Sequence, residues 1–141
     1  MSYETLEPKA AAERLESTEG AIYLDVRTPE EYAAGHAPGA YNIPYLLRGP
    51  AGAQPNGSFV DQVAKHFTPQ TPLVLGCAAG MRSARACDLL VAAGFESLVN
   101  MDGGFSGRSD ESGSTVVPGW AECGLPVVQT PESGRSFDDL R

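Results

Sequence analysis

The sequence predicts an α/β fold with a parallel sheet, because short apolar runs alternate with segments of helical periodicity. Three of the runs have the composition of buried strands: Ala21–Leu24, Leu73–Leu75 and Ser97–Met101. At 141 residues the chain is most simply one domain. We place that domain over residues 1–128 and expect a C-terminal tail over residues 129–141.

The clearest helix start lies at residues 28–31. Thr28 suits the N-cap, Pro29 suits the first helical position, and Glu31 is placed to complete a capping box with Thr28. Gly35 ends this short helix. The other elements expected before residue 45 are a strand over Tyr3–Leu6, a helix from Pro8, and a brief strand over Ala40–Ile43.

Two later segments have the composition of loops. Residues 48–57 are rich in glycine and proline and predict a flexible loop, and residues 106–119 predict an inserted surface loop. The helices expected in this part are one carrying Phe59, Val63 and Phe67, one over Ala84–Ala93 that Gly94 closes, and a last short one over Trp120–Gly124.

A cysteine stands where the apolar strand Leu73–Leu75 gives way to a helix. Between them lies a small loop, Cys77–Arg82, whose backbone N–H groups can turn towards the sulfur while the new helix points its positive end there. Such surroundings favour the thiolate, which is the reactive form of cysteine. A buried, inert cysteine at a strand end is the alternative, but it needs neither Gly80 nor Arg82.

Composition limits the classes of function. A formal charge of −8 argues against nucleic-acid binding, and no apolar run approaches the ~20 residues of a membrane span. Three cysteines without a Cys-x-x-Cys pair argue against a disulfide framework, and His36 and His66 lack zinc-ligand spacing with them. Residues 1–9 lack the pattern of a signal or transit peptide, so we expect a cytoplasmic protein.

Three segments follow strands directly and should gather at one edge of the sheet. They are Asp25–Arg27, Cys77–Arg82 and Asp102–Phe105. In open parallel sheets, ligands bind beyond the carboxyl ends of the strands. We therefore expect the functional site at this edge.

The same segments carry a family resemblance. Asp25-Val-Arg27, Gly35-His36 and Pro38-Gly39-Ala40 resemble the N-terminal signature of rhodanese domains. Cys77-x-x-Gly80-x-Arg82-Ser83 resembles their active-site loop, and the third signature is matched by Asp102-Gly-Gly-Phe105 with Gly124-Leu-Pro-Val127. The resemblance implies five parallel strands with helices on both faces, and a cysteine that carries sulfur as a persulfide.

The activity implied is that of a thiosulfate sulfurtransferase without metal or organic cofactor. Cys77 would take sulfur from thiosulfate or another small anionic donor and pass it to cyanide, a thiol or an acceptor protein. Arg82 would stabilise the thiolate or persulfide, or else point to solvent. The remaining residues expected to bind the sulfur or the donor are Ala78, Ala79, Gly80, Met81 and Ser83.

Two other functions stay open. A persulfide carrier or interaction module for a partner protein would use the same cysteine. Rhodanese-fold phosphatases and arsenate reductases are a more distant alternative, because five residues separate their cysteine and arginine, whereas four separate Cys77 from Arg82.

Several neighbouring residues have structural explanations. We expect Asp25 and Arg27 to support the site, Asp25 as a cap and Arg27 in an ion pair with Glu31. His36 should bind backbone and hold a turn. The remaining expectations are a core position for Cys87, an inert or resolving thiol at Cys123, and a steering role for Arg48 and Arg108.

Overall fold

A computed structural model describes residues 2–130 and 132–141. Its helices are α1 (Pro8–Ser17), α2 (Pro29–Ala34), α3 (Phe59–His66), α4 (Met81–Ala92) and α5 (Phe137–Leu140). Its strands are β1 (Glu4–Leu6), β2 (Ile22–Asp25), β3 (Tyr41–Asn42), β4 (Leu46–Gly49), β5 (Gly52–Pro55), β6 (Leu73–Gly76), β7 (Leu98–Met101), β8 (Arg108–Ser109) and β9 (Thr115–Val117).

The main sheet has five parallel strands in the order β1-β7-β6-β2-β3. In register, Leu24 of β2 lies opposite Leu75 of β6, and Leu75 lies opposite Asn100 of β7. This arrangement confirms the predicted α/β fold. Because β6 is central, the cysteine loop (residues 77–83) begins in the middle of the sheet edge.

Alternate residues of the strands supply two cores, one on each face of the sheet. Leu24, Leu73 and Leu75 pack with residues of α3, α4 and α5. Tyr23, Val74 and Val99 face the other way and pack with α1 and α2. Period-two alternation puts successive side chains on opposite faces, so an apolar run covered by helices on both sides is buried throughout.

Helix α2 begins as the sequence predicts. The Thr28 hydroxyl accepts a hydrogen bond from the Glu31 N–H, and the Glu31 carboxylate accepts one from the Thr28 N–H. Pro29 occupies the first turn, where a missing N–H costs nothing. This capping box also fixes the Glu31 carboxylate beside the sheet edge.

The two segments with loop composition are hairpins. Residues 48–57 contain most of an antiparallel pair, β4 with β5, and residues 106–119 contain the pair β8 with β9. Strand β5 is exposed throughout and has no apolar alternation over Gly52–Pro55, so its composition resembles that of a loop. Residues 121–124 form turns rather than the predicted short helix.

The expected tail is packed against the domain. Phe137 and Leu140 of α5 are buried, and Leu140 belongs to the core that contains α3 and α4. The Asn42 N–H donates to the carbonyl of Arg135, and a His66 ring nitrogen contacts the carbonyl of Leu140 at 2.5 Å. The described part of residues 129–141 is therefore a structural part of the domain.

None of the helices in the described residues is long and apolar enough to span a bilayer.

Candidate functional site

The cysteine loop wraps around the sulfur of Cys77. The backbone N–H of Gly80 donates to Cys77 Sγ at 3.1 Å, and the N–H of Ser83 donates to it at 3.4 Å. The Ser83 hydroxyl lies 3.4 Å from the same sulfur. Only 1% of Cys77 is exposed. Two backbone N–H groups thus donate to the sulfur, an arrangement that stabilises an anion.

Three carbonyl groups of the loop are bound by the turn after β7. The N–H groups of Phe105, Ser106 and Gly103 donate to the carbonyls of Cys77, Ala78 and Ala79 at 2.7, 2.8 and 3.0 Å. Because these carbonyls are held outside, the N–H groups behind them are free to face inward. The turn after β7 therefore shapes the loop after β6.

Glycine is required at two places in this arrangement. Gly80 has φ +119° at the N-cap of α4, a conformation that residues with a Cβ rarely adopt. A Cβ on Gly104, whose φ is +52°, would overlap the carbonyl oxygen of Cys77. These two positions let the loop and the turn lie in direct backbone contact.

The N-terminus of α4 faces the sulfur as well. The helix runs for 12 residues from Met81, and the Ser83 N–H that reaches the sulfur belongs to its first turn. Unpaired N–H groups at a helix start carry partial positive charge. The helix dipole and the individual hydrogen bonds therefore both favour a negative charge on the Cys77 sulfur.

Arg82 is bound to Glu31 rather than extended into solvent. Two hydrogen bonds, of 2.8 and 3.1 Å, join its guanidinium to both Glu31 carboxylate oxygens. Burial by itself raises the pKa of Glu31, but hydrogen bonds from Arg82 and from Thr28 outweigh it and lower the pKa to about 2. Both side chains are partly buried, which fixes Arg82 at the edge of the loop.

Asp25 and Arg27 form a buried ion pair of their own. The guanidinium of Arg27 lies 2.7 Å from Asp25 Oδ2 and also donates to the carbonyl of Gly35 at 2.7 Å. Phe105 covers it, with the guanidinium carbon 4.3 Å from the ring centre. The predicted Arg27–Glu31 pair is therefore wrong: Asp25 is two residues away on the same side of the chain and takes Arg27, which leaves Glu31 to Arg82.

The other singled-out residues have local roles. His36 is fully buried and contacts the carbonyl of Tyr32 through Nδ1 at 2.8 Å. Cys87 is a core residue, and burial raises the pKa of its thiol to about 12. Arg108 forms an ion pair at 2.8 Å with Asp102, the residue that directly follows β7. Cys123 is partly exposed, near the carbonyl of Pro118.

The positions of Ala78, Ala79 and Met81 in the loop differ from those of Gly80 and Ser83, whose N–H groups donate to the sulfur. Within the described residues, the N–H groups of the first three make no hydrogen bond to the sulfur, and 66% of Met81 is exposed. In the same part of the chain, no three His, Cys, Asp or Glu side chains lie close enough together to hold a metal ion.

Sequence reasoning missed Asn100 and Glu132. Asn100 is buried behind the cysteine loop and bonds Ser83, and its signal was a polar residue inside the apolar run Leu98–Met101. Glu132 accepts a hydrogen bond from the Gly39 N–H and lies 3.1 Å from His36 Nε2. Nothing local to the sequence marks Glu132, because its partners are more than 90 residues away.

Curated relatives include enzymes named for sulfur transfer. The chain is 42% identical over 108 residues to thiosulfate sulfurtransferase 16, chloroplastic, of Arabidopsis thaliana, covering 77% of this chain and 80% of that one. It is 41% identical over 95 residues to thiosulfate sulfurtransferase 18 of the same plant, covering 66% and 70%. A further relative, at 42% identity over 113 residues, is the Arabidopsis thaliana protein HIGH ARSENIC CONTENT 1, mitochondrial, with 80% and 60% covered.

Solved structures share the fold. The crystal structure of Rv0390 from M. tuberculosis superposes with a TM-score of 0.76 at 25% identity, covering 92% of this chain and 99% of that one. A rhodanese-like domain protein from Staphylococcus aureus gives a TM-score of 0.57 at 28% identity, covering 72% and 86%. The sequence profile of the rhodanese-like domain matches residues 7–111. Sequence profile, relatives and fold agree, and the chain belongs to the rhodanese-like domain family.

Proposed function

We propose that this protein is a sulfurtransferase that moves sulfane sulfur from thiosulfate, or a similar small anionic donor, through a persulfide on Cys77. The observation that carries the proposal is the direct donation of the Gly80 and Ser83 N–H groups to the Cys77 sulfur. Donors held in place before the reaction stabilise a developing anion without reorganisation. Relatives about 40% identical that are named thiosulfate sulfurtransferases support the same donor.

In the first step the Cys77 thiolate attacks the outer sulfur of thiosulfate. An Sγ–S bond forms, the S–S bond of thiosulfate breaks, and sulfite leaves with the electron pair of that bond. The negative charge moves from Sγ to the terminal sulfur of the persulfide. N–H groups at the start of α4 favour anionic sulfur before and after the transfer.

In the second step a nucleophilic acceptor attacks the terminal sulfur. With cyanide, a C–S bond forms, the Cys77 S–S bond breaks, and thiocyanate leaves while Sγ retains the electron pair as thiolate. A thiolate acceptor, small or on a protein, attacks the terminal sulfur in the same way: a new S–S bond forms, the Cys77 S–S bond breaks, and the acceptor leaves as a persulfide while Sγ retains the electron pair. Because one cysteine serves both half-reactions, the enzyme needs no metal or organic cofactor.

The size of the loop favours sulfur over phosphate. Four residues separate Cys77 from Arg82, and both inward donors lie within 3.4 Å of Sγ. Arg82 is engaged by Glu31 instead of standing free to bind an oxyanion. A tetrahedral phosphate needs a wider ring of donors, whereas a single transferred sulfur fits a tight loop.

The test is steady-state kinetics with thiosulfate and cyanide both varied and thiocyanate measured. A persulfide intermediate predicts parallel lines in double-reciprocal plots, because sulfite leaves before cyanide enters. Intersecting lines would contradict the persulfide route. Hydrolysis of an aryl phosphate is the control, and turnover there without thiocyanate formation would favour a phosphatase.

A further inference from the structure

A buried amide stands behind the cysteine loop. Asn100 occupies β7 among Leu98, Val99 and Met101, and only 5% of it is exposed. Its carboxamide contacts two residues of the loop, Gly80 and Ser83. A buried amide in an apolar strand is costly unless its polar atoms are bonded, and here they are bonded to the loop that holds the sulfur.

The orientation of the amide follows from its partners. Asn100 Oδ1 accepts from the Ser83 hydroxyl at 2.5 Å, while Nδ2 donates to the carbonyl of Gly80 at 3.3 Å. The opposite orientation would place Oδ1 against that carbonyl, with two acceptors facing each other. The hydrogen-bond network therefore places an acceptor in front of the Ser83 hydroxyl.

Ser83 has a single hydroxyl proton and several acceptors around it. Asn100 Oδ1 lies 2.5 Å away, the carbonyl oxygen of Gly80 lies 3.2 Å away, and Cys77 Sγ lies 3.4 Å away. A hydroxyl donates one hydrogen bond at a time, so a proton given to Asn100 is withheld from the sulfur. The lone pairs of Ser83 then face Sγ, which suits an S–H donor and opposes a thiolate.

We propose that Asn100 is a positioning residue that tempers the ionisation of Cys77 by holding the proton of Ser83. The inference rests on the proposed function, in which the Cys77 thiolate is the nucleophile. When the thiol ionises, the Ser83 hydroxyl turns from Asn100 to the sulfur and becomes its third donor beside the two N–H groups. Asn100 thereby opposes the rotation that would stabilise the thiolate.

The test is a double-mutant cycle of Asn100→Leu and Ser83→Ala, read by the ultraviolet absorbance of the thiolate against pH. Each titration uses the same protein with Cys77→Ser as its blank, which removes the signal of Cys87 and Cys123. Asn100→Leu removes the nearest acceptor of the Ser83 proton and leaves only the more distant Gly80 carbonyl to compete with the sulfur, so the midpoint should fall by about one pH unit. In the Ser83→Ala background the same change should move the midpoint by less than about 0.3 unit.

A role in packing would not depend on Ser83. A shift of equal size in both backgrounds, or no shift with Ser83 present, would overturn the inference. Asn100→Ala carries the same prediction and replaces Asn100→Leu if leucine prevents folding. Below the midpoint, sulfur uptake from thiosulfate by Asn100→Leu should be about three-fold faster, because more thiolate is partly offset by lower nucleophilicity.

The experiments distinguish failure of the proposed function from failure of the role proposed for Asn100. If the wild-type protein takes no sulfur from thiosulfate, the proposed function fails, and the titrations still decide whether Asn100 controls the Ser83 proton. If sulfur uptake is normal but the cycle shows no coupling, the role of Asn100 fails and the proposed function stands.

Discussion

Two neighbouring strands, β2 and β6, end at the same sheet edge, but the residues that follow them differ in how their charges are compensated. After β2, Asp25 and Arg27 neutralise each other, with the side chains 1% and 5% exposed. After β6, Cys77 meets backbone N–H groups and no partner charge within hydrogen-bond distance in the described residues. The ion pair after β2 is neutral by itself, whereas the loop after β6 offers N–H donors that suit an anionic sulfur.

The comparison teaches that charge at the end of a strand does not by itself mark the reacting centre. Arg27 donates through Nε and Nη2 to Asp25 and to the carbonyl of Gly35, and Phe105 covers its guanidinium. The cysteine loop keeps its donors inward because another turn accepts its carbonyls. We therefore assign a structural role to Asp25 and Arg27 after β2, which we call the β2 end. We assign the chemistry to the cysteine loop after β6, which we call the β6 end.

The largest effect should come from Cys77→Ser. A serine hydroxyl is not ionised near neutral pH, so thiocyanate formation should fall by at least about 10³-fold. The matched control is Cys123→Ser, which removes a partly exposed thiol and should keep the wild-type rate. Comparable losses in both variants would show that the chemistry is not confined to the β6 end.

Arg27→Met should destabilise the protein most among the changes that leave Cys77 intact. The substitution leaves the buried Asp25 carboxylate without its partner, which should lower the free energy of unfolding by about 3–5 kcal/mol. Arg14→Met, which breaks the exposed pair with Glu4, is the control and should cost far less, because solvent screens that pair. Urea unfolding measures both, and equal losses would contradict a structural role for the β2 end.

Gly104→Ala tests the contact that joins the turn to the cysteine loop. Its Cβ would overlap the Cys77 carbonyl and its positive φ would be strained, so we expect a loss of about 2–4 kcal/mol. Gly113→Ala is the control, since φ is also positive there but the space is open. A loss no larger than the control's would mean that the loop does not depend on this contact.

The smallest effect concerns acid stability. Because Glu31 has a pKa of about 2 when folded and near 4.5 when unfolded, its stabilisation is present above pH about 4.5 and is lost as the pH falls towards 2. Glu31→Gln should cost about 1 kcal/mol at neutral pH, an amount discounted for partial exposure. The free energies of unfolding of the two proteins, measured in urea, should approach each other as the pH falls from about 4.5 towards 2, and a constant difference would contradict the ion pair.

The sequence predicts the parts of this structure that depend on neighbouring residues. The capping box of Thr28 and Glu31 and the strand–loop–helix around Cys77 follow from local patterns. The Arg82–Glu31 pair does not, because its members are 51 residues apart and Arg27 was an equally plausible partner for Glu31. Strand β5 is hidden by its loop-like composition. The packing of the C-terminal segment depends on partners far away in the sequence, because Asn42 binds the carbonyl of Arg135 and His66 contacts that of Leu140 in α5.

The most direct test of the central claim is the intact mass of the protein after incubation with thiosulfate. We predict a gain of one sulfur atom in the wild type, its removal by cyanide, and no gain in Cys77→Ser. A folded, reduced wild-type protein that gains no mass, or a Cys77→Ser variant that gains the same sulfur, would contradict persulfide chemistry at Cys77.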